Sequence, residues 1–119
     1  MVNIDDLKSV GVEVSDEHKD GNLVIDVFTV WCGPCKFVAP ILHKLRDEGV
    51  IKLIQVDLDK NRPLGEKFGI TAIPTLLFFK DGNMLEGTIE VQNQPLVQNG
   101  MMVGAAGEPV LREIISQMG

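Results

Sequence analysis

The spacing of apolar residues changes several times along the chain, and each change marks an element. Residues 23–29 form a nearly continuous apolar run rich in β-branched and aromatic side chains, the pattern of a strand buried on both faces. Asp26 alone breaks it. From Pro34 the period turns helical, with Val38, Ile41, Leu42 and Leu45 on one face and Gly49 as the stop. Pro40 falls inside this helix and should kink it, because it cannot donate to Lys36 and its ring crowds that carbonyl. Residues 51–58 predict a strand, and residues 61–68 a short helix ended by Gly69. Residues 75–80 predict another strand, preceded by Ile73-Pro74.

Asp81-Gly82 is a hairpin turn signal, so residues 84–91 are expected to return antiparallel. A polar stretch over 92–100 follows, closed by a second turn-like pair, Asn99-Gly100. Residues 101–103 predict a strand fragment, and residues 108–118 an amphipathic helix with Val110, Leu111, Ile114 and Ile115 apolar. Upstream, residues 3–9 suggest a short helix under an asparagine cap, residues 12–14 a short strand, and residues 16–21 a loop. No repeat or linker interrupts the pattern. Strand-like and helix-like segments alternate, which predicts an α/β fold with a sheet covered by helices, in one domain over residues 1–119.

Composition narrows the function more than the fold. The chain has 119 residues, 45% hydrophobic and 24% charged, with a formal net charge of −6. That balance suits an ordinary globular domain and argues against nucleic acid, whose binding needs basic surface to displace counterions. It offers no polybasic patch for an anionic membrane either. The opening residues have no basic segment followed by an apolar one, and residues 76–79 are far short of the ~20 apolar residues of a membrane helix. A cytoplasmic protein, present as a monomer, is the expectation.

The chain has two cysteines, both in Cys32-Gly33-Pro34-Cys35, between the buried strand and the start of the helix. A two-residue spacer lets the sulfurs meet across one turn. At a helix N-terminus the free N–H groups and the dipole favour an anion, so Cys32 is the expected thiolate. Cys35, one turn inside, should be the more buried thiol. Cys32 would attack a substrate disulfide, and Cys35 would then attack the mixed disulfide and free the reduced substrate. Lowering a thiol pKa from about 8.5 to about 7 raises the thiolate fraction at neutral pH roughly 15-fold. Falling nucleophilicity returns roughly 5-fold of that. Proximity is the larger effect, because oriented intramolecular reactions reach effective molarities of ~10⁵ M and above.

A close pair has two other readings, a structural disulfide and a zinc site. Zinc would need four ligands, and only His18 and His43 are left to add. His43 lies ~12 Å further along the same helix at ~1.5 Å per residue, out of reach of these sulfurs. No metal and no cofactor are expected.

Trp31-Cys32-Gly33-Pro34-Cys35-Lys36 resembles the active-site hexapeptide of thioredoxins. Asp26 in the preceding strand, Ile73-Pro74-Thr75, and Val103-Gly104-Ala105 also fall where that family has them. The resemblance runs from Leu23 onward, apart from residues 86–100. Protein disulfide isomerases and glutaredoxins share the fold class but carry His or Tyr within the motif. The resemblance implies a thioredoxin fold, a central mixed sheet with helices on both faces, and a protein-disulfide reductase. Its partners would be disulfide-containing clients and a thioredoxin reductase or equivalent electron donor. Pro74 would be a cis proline facing the disulfide. Trp31, Gly33, Pro34, Ile73, Val103, Gly104 and Ala105 would rim a groove for extended polypeptide. Asp26 would be the buried acid behind Cys35, exchanging a proton with it. Independently of the family, a carboxyl in an apolar strand should hold its proton tightly and so work as a base near neutrality; the bland reading is a strand-end acid, solvated or capping the next helix.

Several residues depart from the family pattern. Gln55 stands where a lysine usually lies near the buried acid, and a neutral neighbour would not pull that carboxyl down. Phe28 replaces a second tryptophan, leaving Trp31 as the sole fluorescent reporter. Between Asp81-Gly82 and Val103 the chain is about a dozen residues longer than typical relatives, which predicts an extended hairpin or loop before the last strand (a length that surface loops tolerate cheaply). This insertion either selects partners or is merely solvated. Asp57, Asp59 and Asn61 mimic the opening of a calcium loop, but Arg62 and Phe68 stand where its glycine and glutamate belong, so helix capping is the better reading. Both histidines read as ordinary surface residues. The rival to a reductase is a binding module of the same fold that docks one partner, its redox activity incidental.

Overall fold

The longest apolar run is the middle of a sheet. In the computed structural model, which describes residues 2–119, β1 (Asn22–Phe28) pairs in parallel with β2 (Lys52–Asp57) and antiparallel with β3 (Thr75–Lys80). Beyond β3 come β7 (Met101–Val103), β6 (Gln94–Gln98) and β5 (Thr88–Val91), giving the order β2-β1-β3-β7-β6-β5. β4 (Asn83–Met84) also pairs with β3, past the end of β7. The sheet is mixed, as expected.

Helices cover both faces. On one, α1 (Gly33–Asp47) and α3 (Glu108–Met118) bring Val38, Leu42, Leu111 and Ile114 onto Val24, Leu76 and Phe78. On the other, α2 (Arg62–Phe68) and a 3-10 helix (Ile4–Val10) bring Leu64, Ile4 and Leu7 onto Leu23, Ile25 and Phe79. Strand side chains alternate between faces, so Asp26, two residues from Val24, points to the α1 side. Asn3 and Asn61 cap their helices through side-chain oxygens, and Gly69 ends α2 in the left-handed region at φ 62°. α1 runs unbroken through Pro40, which is exposed.

Four expectations change. Residues 12–14 are not a strand: Val12 is buried, but its N–H donates to the Leu7 carbonyl and the segment has no sheet partner. Residues 16–21 are not all loop, since Asp16–Lys19 close a 3-10 turn. Residues 84–91 divide into β4 and β5, because the strand that opens at the Asp81-Gly82 turn leaves β3 after Met84. The polar stretch over 92–100 contains β6, which pairs with β5 through a two-residue turn at Gln92 and Asn93, both at positive φ (53° and 64°). Backbone pairing, not apolar burial, makes this strand. The β5–β6 hairpin is the insertion expected before the last strand.

Candidate active site

β1 delivers the chain to one end of the sheet, where Thr29 is buried and its carbonyl accepts the Cys32 N–H at 3.4 Å. Cys32 is then the N-cap of α1. Its Sγ accepts the Cys35 N–H at 3.1 Å, which is the capping bond a serine or aspartate oxygen would make elsewhere. Gly33 and Pro34 fill the first turn, where a proline costs no hydrogen bond. Cys32 and Cys35 are joined as a disulfide across a Cα–Cα distance of 5.3 Å. On reduction, a thiolate at Cys32 would sit among free N–H groups at the positive end of a 15-residue helix.

The expected difference in burial does not appear. Cys32 is 4% exposed and Cys35 3%. Both residues are nearly covered in the disulfide form. The asymmetry between the two sulfurs is one of position on the helix, not of exposure.

Around the disulfide the surface is apolar and open. Trp31 is 69% exposed, and its ring is pinned by Nε1–H donating to Asp59 Oδ2 at 2.9 Å. Ile73-Pro74 is a cis peptide bond directly before β3. The Gly104 N–H donates to the Pro74 carbonyl at 2.8 Å, and Val103 is in register with Thr75. Thr75 in turn pairs with Val27, so Ile73, Pro74, Val103, Gly104 and Ala105 share the sheet end from which Trp31 to Cys35 emerge. Val103 is 63% exposed, and Val30 and Phe37 add exposed apolar surface that the motif did not point to.

Behind the disulfide a buried acid is held by a chain of side-chain contacts. Asp26 has no exposed surface, and burial pushes its carboxyl up from the ordinary value, opposed by a hydrogen bond from Gln55 and the field of His43. Gln55 is therefore not a silent neighbour, contrary to expectation: its Nε2–H donates to Asp26 Oδ2 at 3.1 Å and favours the charged form. A cavity of about 280 Å³ is lined by Asp26, Thr29, Cys35, Lys36 and Gln55, among others. Asp26 Oδ1 and Thr29 Oγ1 have no hydrogen-bond partner among the described residues.

The histidines are not ordinary surface residues. His18 Nδ1 accepts the Ser15 N–H, and His43 Nε2 lies 2.9 Å from Gln55 Oε1. His43 is the site residue that sequence reasoning missed. It lies eight residues past Cys35 on α1, where it meets Gln55 of β2, and no motif in the sequence marks it.

Among the described residues no group of three or more His, Cys, Asp or Glu side chains is arranged to hold a metal ion. Asp57 and Asn61 accept backbone N–H groups at the starts of a 3-10 turn and α2, which accounts for both as caps.

The sequence profile of the Thioredoxin family matches residues 7–101. The thioredoxin of Bacillus subtilis is 34% identical over 94 residues, 77% of this chain and 90% of that protein. The crystal structure of Fasciola hepatica thioredoxin superposes with a TM-score of 0.68 at 31% identity, covering 97% of this chain and 93% of that one. Reduced Schistosoma mansoni thioredoxin pre-protein superposes at 0.67 with 29% identity over 94% of this chain and 89% of that one.

Proposed function

Since this chain belongs to the thioredoxin family, as a thiol–disulfide reductase working through a Cys32–Cys35 dithiol, we infer that Cys32 is the attacking sulfur and Cys35 the resolving one. The Cys32 thiolate attacks one sulfur of a client disulfide, forming a Cys32–client bond and expelling the other client sulfur as a thiolate. Cys35 loses its proton and attacks Cys32 Sγ. The second client thiolate leaves, and the Cys32–Cys35 bond closes. Two electrons have passed to the client, and an electron donor of the thioredoxin reductase class returns them.

Asp26 takes the Cys35 proton. It is the one buried acid on the α1 side of β1, it shares a cavity with Cys35, and burial keeps its proton affinity high. Trp31, Gly33, Pro34, Ile73, Pro74, Val103, Gly104 and Ala105 form the groove for an extended client segment. We place the protein in the cytoplasm, as a monomer of one domain serving general electron transport to protein disulfides.

The observation that carries the reading is the position of the disulfide, with Cys32 Sγ capping α1 under exposed Trp31. Trapping tests it. Cys35→Ser should accumulate mixed disulfides at Cys32 when mixed with oxidised insulin, and Cys32→Ser should accumulate none. Equal trapping by both variants would reverse or erase the assigned roles. A wild-type protein unable to reduce insulin would leave only a binding module.

A further inference from the structure

We propose that Gln55, oriented by His43, is a positioning residue that decides which oxygen of Asp26 serves Cys35. The inference rests on the reading of Asp26 as the acid behind Cys35. It begins from hydrogen-bond chemistry. An amide oxygen only accepts, so the 2.9 Å contact between His43 Nε2 and Gln55 Oε1 requires the proton on Nε2. With the oxygen held there, the Gln55 NH₂ faces inward and donates to Asp26 Oδ2 at 3.1 Å. Oδ2 is occupied. Oδ1 has no partner, and the carboxyl lines the same cavity as Cys35. Oδ1 is therefore the atom left to receive the Cys35 proton, across a largely apolar cavity of about 280 Å³ whose few polar groups include the unpaired Thr29 Oγ1.

The same chain of contacts ties the two ends together. An ionised Asp26 needs the amide NH₂ toward it. A proton on Oδ1 leaves Oδ2 an acceptor, so the amide keeps its orientation and its bond to Asp26 only weakens from a charged to a neutral one. His43 and Gln55 thus hold Oδ2 in both protonation states and leave Oδ1 free to take up and release the proton. α1 contributes Cys35, Lys36 and His43. β2 contributes Gln55 and, one register pair further on the same face, Asp57, whose carboxylate is taken by the Asp59 N–H. β3 places only Leu76 opposite.

The test is the pH profile of the resolving step, measured on a preformed mixed disulfide between the full-length protein and a thiol-labelled peptide. Gln55→Met removes the donor and keeps the length, so the profile's midpoint should move to higher pH by about one unit, the size of one hydrogen bond to a charged group. Gln55→Lys restores a donor and adds a positive charge, so the midpoint should move to lower pH. His43→Phe frees the amide and should shift it upward by less than Gln55→Met. Gln55 is exposed on an edge strand, so these variants are expected to fold, and circular dichroism with the disulfide intact checks that each has. Midpoints that stay put, or that move the same way in Gln55→Met and Gln55→Lys, overturn the proposal. Asp26→Asn run alongside separates the two failures: if it too leaves the profile unchanged, the role of Asp26 is wrong, whereas if it alone changes the profile, only Gln55 and His43 are.

Discussion

On one side of the Cys32–Cys35 disulfide, Trp31 and Val103 stand largely in solvent; on the other, Asp26 has no surface in water at all. The front is apolar, and apart from the bond from Trp31 to Asp59 its hydrogen bonds are backbone-directed, as from the Gly104 N–H to the Pro74 carbonyl. At the back the contacts run through side chains, from Asp26 to Gln55 to His43. A client disulfide must arrive from the front, so exposed apolar surface there serves recognition of polypeptide that varies in sequence. On the reading proposed above, the proton of the resolving thiol leaves at the back, where the buried Asp26 would take it. Exposed apolar patches and buried carboxyls with an unpaired oxygen each cost stability, and this molecule has one of each on opposite sides of its two sulfurs.

The comparison breaks most sharply if the back is disabled alone. Asp26→Asn removes the base and should slow resolution of a preformed mixed disulfide by ~10²-fold at neutral pH, the low end for a positioned general base. Formation of the mixed disulfide, a front-side event, should change little. Stopped-flow tryptophan fluorescence separates the two steps, because Trp31 is the only indole in the chain. Equal slowing of both would mean the two sides are not separable.

Disabling the front should have a smaller effect of a different kind. Val103→Asp places a charge on the apolar rim and should raise KM for oxidised insulin about tenfold, or ~1.4 kcal/mol. Turnover of a small aromatic disulfide, which needs little groove, should be nearly unaffected. Loss of kcat on both substrates would put Val103 in the chemistry instead of recognition.

The front was legible in the sequence and the back only in part, for a physical reason. Trp31, Cys32, Pro34 and Cys35 are contiguous, and their chemistry follows from spacing at a helix start. Asp26 stood out because it interrupts an apolar run. His43 and Gln55 interact across twelve positions of sequence, with neither in a motif, so only the packing of α1 on β2 brings them together. The turns divide the same way. Asp81-Gly82 and Asn99-Gly100 announce themselves by residue type, and both adopt positive φ at each residue. Gln92-Asn93 does the same with a residue that rarely does, which hid β6 inside a polar stretch. The equal burial of the two cysteines in the disulfide form does not follow from their positions in the sequence.

Stability should reveal the back through pH. Burial raises the Asp26 carboxyl, so the folded protein binds that proton more tightly than the unfolded chain does. The contribution is complete below the unfolded carboxyl value and is lost as pH rises through the folded one. Unfolding free energies of the oxidised protein from urea titration should therefore fall as pH rises above the ordinary carboxylate range, by an amount that Asp26→Asn removes, on the order of 1–3 kcal/mol for a buried group left unsatisfied. A variant that falls as far as the wild type would place the charge cost elsewhere.

The smallest effect expected belongs to the inserted hairpin, and it sharpens the boundary of the front. β6 runs antiparallel to β7, with Gln98 opposite Met101, so the Gln92-Asn93 turn lies at the same end of the sheet as Val103. Gln92 holds φ at 53° without a glycine's freedom or an asparagine's local hydrogen bonding. Gln92→Gly should relieve that conformation and stabilise the protein by a few tenths to about 1 kcal/mol, a rise of a few degrees in Tm for a domain of this size. If the hairpin is only a solvated extension, KM for oxidised insulin will not move while Tm rises. A change in KM without a change for the small disulfide would extend the recognition surface from Val103 across β7 to the hairpin, and the front would then include the one region in which this chain is longer than the family pattern.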